Sequence, residues 1–391
     1  MHGDGAVITP TIGLMNFLLN NLMEEKEKLF DEAFKHLGGI IDYEQIQHPE
    51  VIQNLIIGCN EFIRWIKQDR PELPDVYINI INSDKLNAAA TKYKNEYLIG
   101  ISGSTIILIS DLFFRMTANP NVLKDFGNID NESVLEKTFN AQITTIKLLD
   151  LTSDVIAIPN DKSRQILAFF LTNTVFKFLI AHEYGHIVDG HCDFFNNKIN
   201  DFTINEFPNG KPKLDPLISQ ALELDADLFA VTKVIIELEA LLQNIEYVED
   251  IYQPFYKNFE TNLFLITYSM YTFHRMSGMT KYDEVDLKTI SHPPASIRHG
   301  IALAQIGKMY EYKHRNETDL IGLKEKISYI MNLAMYEVET AFAAISEQPL
   351  SFDYLNFAGS DMAINHVSLI LEQWNVIKPA VKEFAFENLH L

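Results

Sequence analysis

His182-Glu183-Tyr184-Gly185-His186 closes an apolar stretch that opens near Ile166 and carries Phe169, Phe170, Val175, Phe176, Phe178 and Leu179. Apolar residues on nearly every side of a helix mark a buried one, so these histidines belong to an element of the core. On such a helix His182 and His186 stand one turn and about 40° apart, and their ring nitrogens can converge on one small cation. Glu183 points about 100° away, near enough to hold a water at that cation but too far round for a comfortable third ligand. The spacing separates two binders from one base, and the cation it suits is zinc. Read alone, the pair also fits polar groups at the end of a core helix.

The third ligand decides between these readings, because a catalytic zinc takes three protein ligands and keeps a fourth position open. In Ala221-Leu222-Glu223-Leu224-Asp225-Ala226-Asp227-Leu228-Phe229-Ala230, Glu223 and Asp227 are again four apart on a run that reads as helix. Glu223 completes the zinc set. Asp227, one turn on, accepts the spare ring N–H of a ligand histidine and fixes its tautomer. Acidic runs of this kind more often form a solvated helix face. Here Leu224, Ala226, Leu228, Phe229 and Ala230 crowd the carboxylates with apolar neighbours, which argues against full exposure.

Spacing excludes two rival zinc patterns. A metzincin motif needs Gly at 189 and His at 192, where this chain has Asp189 and Cys192. On a continuous helix His191 points about 140° away from His186 and reads as a terminal histidine favoured by the helix dipole. Cys59 and Cys192 are the only cysteines and form no Cys-x-x-Cys pair, so a cysteine-based structural site is untenable.

A His-Glu-x-x-His helix followed a few tens of residues later by Glu-x-x-x-Asp resembles the gluzincin metallopeptidases. Ser291-His292-Pro293-Pro294, with Arg298 six residues after the histidine, is similar to the segment that follows the zinc helices in the CAAX prenyl protease and heat-shock membrane protease branch. Asp84-Lys85-Leu86-Asn87-Ala88-Ala89-Ala90, followed by Tyr97-Leu98-Ile99-Gly100-Ile101, is similar to that branch's edge strand. The likeness covers roughly residues 76 to 316, with the motifs in the family's order. It implies that His292 and Arg298 stand near the scissile carbonyl and help stabilise an oxyanion. It also implies that the substrate backbone docks along Asn87, Ala88 and Ala89. His292 reads equally as a loop residue, and Arg298 as the partner of a carboxylate in the ligand shell. The branch is often membrane-embedded, whereas the most apolar windows here, Ile166 to Ile180 and Asn262 to Phe273, fall short of a clean span of about 18 residues.

The rest of the chain sets the frame. Its 391 residues suffice for a large core, and 47% hydrophobic with 22% charged content is ordinary for a folded protein. A net charge of -21 argues against nucleic acid or an anionic membrane surface as partner. With no signal-peptide pattern at the start and only two cysteines, a soluble cytoplasmic protein is the expectation. Helices are expected over 14–37, ended by Gly38-Gly39, and from Pro49 to about Lys67. Strands are expected at Val76–Ile81 and Tyr97–Ile101, a helix by resemblance at 105–116, and weak helix over 130–150. A loop is expected from Asp193 to Pro216, a lid or a plain connection. Further helices follow at about 217–245, 250–276, 293–313, 318–346 and 361–388, the last bent or broken at Pro379. The stripe Phe264, Tyr268, Tyr271 reads first as core packing and second as a substrate pocket.

The fold expected is α+β and predominantly helical: an N-terminal helical layer (1–70), a zincin-like catalytic domain with a small sheet beside the metal helix (71–316), and a C-terminal helical extension (317–391). The activity expected is that of a zinc metalloendopeptidase acting on protein or peptide, with one zinc per chain held by His182, His186 and Glu223. Glu183 is its base, His292 and Arg298 assist, and Asp227 supports a ligand. A zinc-containing scaffold or sensor without turnover is one alternative, and a dedicated single-target protease like the phage-exclusion proteases of the Lit type is another.

Overall fold

β-branched and aromatic residues build a small mixed sheet against the central helix. In the computed structural model, which describes residues 23–45, 49–133, 157–199, 203–205, 214–277, 283–313, 315–316, 319–346 and 349–391, the strands are β1 (Val76–Ile81), β2 (Ala88–Tyr93), β3 (Glu96–Ser102) and β4 (Thr203–Asn205). Residues 14–22 of the helix expected over 14–37, residues 134–150 of the weak helix expected over 130–150, and the turn signals of 208–212 lie outside the described residues. β2 and β3 form a hairpin whose turn residues Lys94 and Asn95 have φ of 48° and 71°, the backbone of a two-residue type I′ turn. β1 runs parallel to β3 with Ile78 opposite Ile99, and the order across the sheet is β1-β3-β2-β4.

One expectation changes here. The strand carrying Ala88 and Ala89 is not an open edge, because β4 pairs antiparallel with Ala89, Ala90 and Thr91. The stretch between the two metal helices, read as loop from 193 to 216, supplies this strand and also α5 (His191–Ile199). The chain thus covers its own exposed strand, the usual way an edge is blunted.

The remaining helices are residues 23–34 (α1), α2 (Pro49–Ile66), α3 (Gly103–Ala118), α4 (Lys162–Val188), α6 (Pro216–Gln243), α7 (Phe259–Ser277), α8 (Glu284–Thr289), α9 (Ala295–Lys313), α10 (Leu320–Ile345), α11 (Asp353–Ala358) and α12 (Asp361–Lys382). Where one helix was expected over 250–276, the chain makes a short 3-10 turn at Gln253–Tyr256 and restarts as α7, with Asn258 accepting the Thr261 N–H as a cap. Pro379 sits inside α12, which ends at Lys382 rather than near 388. Tyr268 and Tyr271 are wholly buried, and Tyr271 donates to Glu339, so the aromatic stripe is core.

α4 is the axis of the molecule. Asp161 caps its start by accepting the Arg164 N–H at 3.1 Å, and its flanks carry Leu167, Leu171, Val175, Phe178 and Leu179 into the main core with side chains from α2, the sheet, α3, α6, α7 and α10. It is the one helix among the described residues long and apolar enough to cross a membrane by composition, and 72% of that apolar window is buried inside the protein. Arg164 anchors the turn after α3. Its guanidinium, fully buried, donates to the carbonyls of Thr117, Asn119, Val122, Leu123 and Phe126 at 2.6 to 3.1 Å. Arg164→Met strands these acceptors without water, and we expect it to destabilise the fold by about 3 kcal/mol or more, since each orphaned buried group costs about 1–3 kcal/mol. Denaturant titration reads this; a loss below about 1 kcal/mol would mean the carbonyls find other donors.

Two glycines let other segments approach α4 closely. A Cβ at Gly185 would stand 3.2 Å from the Phe229 ring, so the small residue inside the His-Glu-x-x-His stretch is what brings α6 against the metal helix. Gly190, at φ +79°, ends α4, and a Cβ there would lie 2.6 Å from the Phe384 carbonyl carbon. Residues 384–391 cross at that point, with Phe386 N–H donating to the Val188 carbonyl at 2.8 Å.

Candidate metal centre

The last two turns of α4 and the third and fourth turns of α6 face each other across the Gly185–Phe229 contact. That juxtaposition brings the Nε2 atoms of His182 and His186 to 3.1 Å, with Glu223 Oε2 3.2 Å from the first and Oε1 3.5 Å from the second. All three residues are at most 2% exposed, and their ligand atoms lie within 4.8 Å of one another.

The tautomers show what this cluster is suited to. His182 Nδ1 lies 2.9 Å from Asp227 Oδ1, a carboxylate that only accepts, so the ring proton sits on Nδ1 and Nε2 presents a lone pair. Burial pushes the His186 imidazole down to about 4, against the pull of Glu223, so this ring too is neutral at pH 7. Burial would raise the Glu223 carboxyl, and the surrounding imidazoles of His292, His186 and His182 outweigh it and hold the group well below the ordinary range. Lone pairs and an anionic oxygen aimed at one buried point repel each other unless a cation lies between them. The donor set of two imidazoles and one carboxylate is the kind that zinc accepts.

Around this point the structure arranges the other residues singled out in the sequence. Glu183 is 1% exposed, beside His182 on α4. Asp227 bridges His182 and Arg298, taking the guanidinium in a two-pronged grip with Nε to Oδ2 at 2.7 Å and Nη2 to Oδ1 at 2.7 Å. Burial would raise the Asp227 carboxyl, and Arg298 outweighs it, so the group is held well below the usual carboxylate range. Arg298, expected by resemblance beside the scissile carbonyl, therefore faces the back of His182 through Asp227. His292 does reach the centre: its Nε2 is 3.2 Å from Glu223 Oε2, and its Nδ1 is 3.1 Å from Ser291 Oγ. Its side chain is 16% exposed, the most accessible imidazole of the group.

Asn87 stands just before β2, with its backbone N–H donating to Thr105 Oγ1 at 2.8 Å and its carbonyl accepting from Ser102 N–H. Ala88 and Ala89 are buried in β2, with β3 on one side and β4 reaching Ala89 on the other.

His191 reverses a sequence expectation. It does not point away from the centre: its Nδ1 is 2.9 Å from His186 Nδ1, and its Nε2 is 3.3 Å from Asp225 Oδ2. The projection assumed one continuous helix, whereas the left-handed Gly190 starts a new helix and turns the ring back. Asp225, fully buried, was likewise missed, although Asp189-Gly190-His191 carried the signal in a glycine at a helix end. Comparison of the chain with family models, with curated proteins and with solved structures returns no match in any of the three.

Proposed function

We propose that the protein is a zinc-dependent metallopeptidase, an endopeptidase that hydrolyses peptide bonds of protein or peptide substrates. The observation that carries this reading is the convergence of two imidazole nitrogens and one carboxylate on a single buried point, with Glu183 on the same helix turn. His182, His186 and Glu223 would hold the metal. Bound there, zinc supplies Lewis-acid polarisation of a carbonyl and acidification of a water molecule. Glu183 takes the proton of the attacking water onto a carboxylate oxygen and delivers it to the leaving amine. His292, with Nδ1 steadied by Ser291, offers an N–H to the oxygen that becomes negative as the carbonyl carbon turns tetrahedral. Asp227 and Arg298 keep the His182 ring in the tautomer that binds.

The nearness of His292 to Glu223 favours one other reading. A third imidazole, as fourth ligand at the metal, would close the site and make it structural, as in a scaffold or sensor. Metal removal separates the two. We expect one zinc per purified chain, and a chelator that strips it should stop hydrolysis while leaving the helical circular dichroism and most of the thermal stability, because a core of this size does not depend on one ion. Unfolding in chelator would instead select the structural site. The substrate is sought by comparing lysate proteins cleaved by the wild type with those cleaved by Glu183→Gln. A chain that takes up no metal would end the proposal.

A further inference from the structure

Each of the two metal-facing histidines needs something behind it to hold its proton, and they are served differently. His182 has a carboxylate, Asp227, directly on Nδ1. His186 has another histidine. We infer that His191 and Asp225 are positioning residues for His186, forming a two-step relay that keeps its Nε2 lone pair aimed at the metal. The inference rests on reading His182, His186 and Glu223 as ligands.

Counting the ring protons fixes which nitrogen donates at each step. Neutral His186 that offers Nε2 as a ligand must carry its one proton on Nδ1. That atom lies 2.9 Å from His191 Nδ1, a distance that holds a single proton between two nitrogens. His191 is therefore the acceptor there, and its own proton sits on Nε2, 3.3 Å from Asp225 Oδ2, a charge contact short of hydrogen-bond geometry. The other Asp225 oxygen accepts the backbone N–H of Leu391, which fixes the carboxylate. His186, His191 and Asp225 are at most 1% exposed, so no bulk water can replace a missing partner. The segment 384–391 closes over the relay, held by Phe386 on Val188 and by Trp374 Nε1–H and Lys378 on the Leu391 oxygen.

A rival use of these residues is a second cation held by Asp189, His191 and Asp225, whose ligand atoms also lie within 4.8 Å of one another. The same accounting sets the two against each other. A cation on His191 Nε2 forces that ring's proton onto Nδ1, which then donates to His186 Nδ1 and leaves neutral His186 with its proton on Nε2. The ligand and the second cation site cannot both exist with neutral rings.

The test reads metal affinity and tautomers, with no assay of turnover. His191→Leu should weaken zinc binding by about 10- to 100-fold in chelator competition, the usual cost of losing the group behind a ligand histidine. His191→Asn, whose amide oxygen falls near the lost Nδ1, should restore most of it. The visible spectrum of the cobalt-substituted protein should shift in the leucine variant and return in the asparagine one, a change that general destabilisation would not produce. A folded leucine variant with wild-type affinity overturns the relay. So does a wild type that binds two zinc ions, one of which is lost in His191→Leu. If the wild type binds no zinc, the ligand reading has failed on its own account. The relay is then judged in the metal-free protein by 15N shifts of the imidazoles, where a His186 proton on Nε2 refutes it and one on Nδ1 sustains it.

Discussion

Glu183→Gln is expected to lower peptide hydrolysis by about a hundred- to ten-thousandfold, the range a positioned general base contributes, while zinc stays bound at one per chain. Glutamine matches glutamate in shape and volume, so a side chain 1% exposed in a close-packed interior is replaced without cavity or strain. What it loses is the ability to accept a proton. The ligands lie on the neighbouring positions His182 and His186 and on α6, so their lone pairs are untouched. Metal analysis and hydrolysis measured on the same sample separate the outcomes. Full activity would remove Glu183 from the chemistry. Loss of zinc would make it a ligand and leave the proposed mechanism without a base.

The part of this site legible in the sequence is the part governed by helical periodicity within one element. His182 and His186, four apart on an apolar helix, and Glu223 and Asp227, four apart on another, meet as their spacing implied. The helix-rich architecture with a small sheet was legible for the same reason. What escaped depends on single backbone torsions or on contacts between distant elements. Gly190 at φ +79° redirects His191 by breaking a helix that periodicity carried straight through. β4 covers β2 because three residues between the metal helices return to the sheet, and no pattern in three residues announces that. Arg164 drew no notice in the sequence, yet five carbonyls from 117–126 enclose it. Of the two readings open for Arg298, beside the scissile carbonyl or on a carboxylate of the ligand shell, the structure shows the second, with its guanidinium on Asp227.

That last pairing yields a prediction with two separable parts. Asp227→Asn should weaken zinc binding by about 10- to 100-fold, since a neutral amide polarises the His182 ring less than a carboxylate does. It should also cost about 3–5 kcal/mol of folding stability, because Arg298, 4% exposed, then keeps a buried positive charge with no counter-charge. An exposed ion pair would show neither effect, being worth at most about 1 kcal/mol. The two losses have different causes, and a second substitution divides them. Adding Arg298→Met to Asp227→Asn removes the stranded cation and refills its volume with an apolar side chain, so much of the stability should return. The His182 ring still faces an amide, so zinc affinity should stay low. Denaturant midpoints and chelator competition on the single and double variants measure both terms. If affinity rises together with stability, Asp227 serves the fold alone, and the support assigned to it behind His182 is wrong. If affinity stays low in a chain restored to stability, the carboxylate acts on the metal through the imidazole.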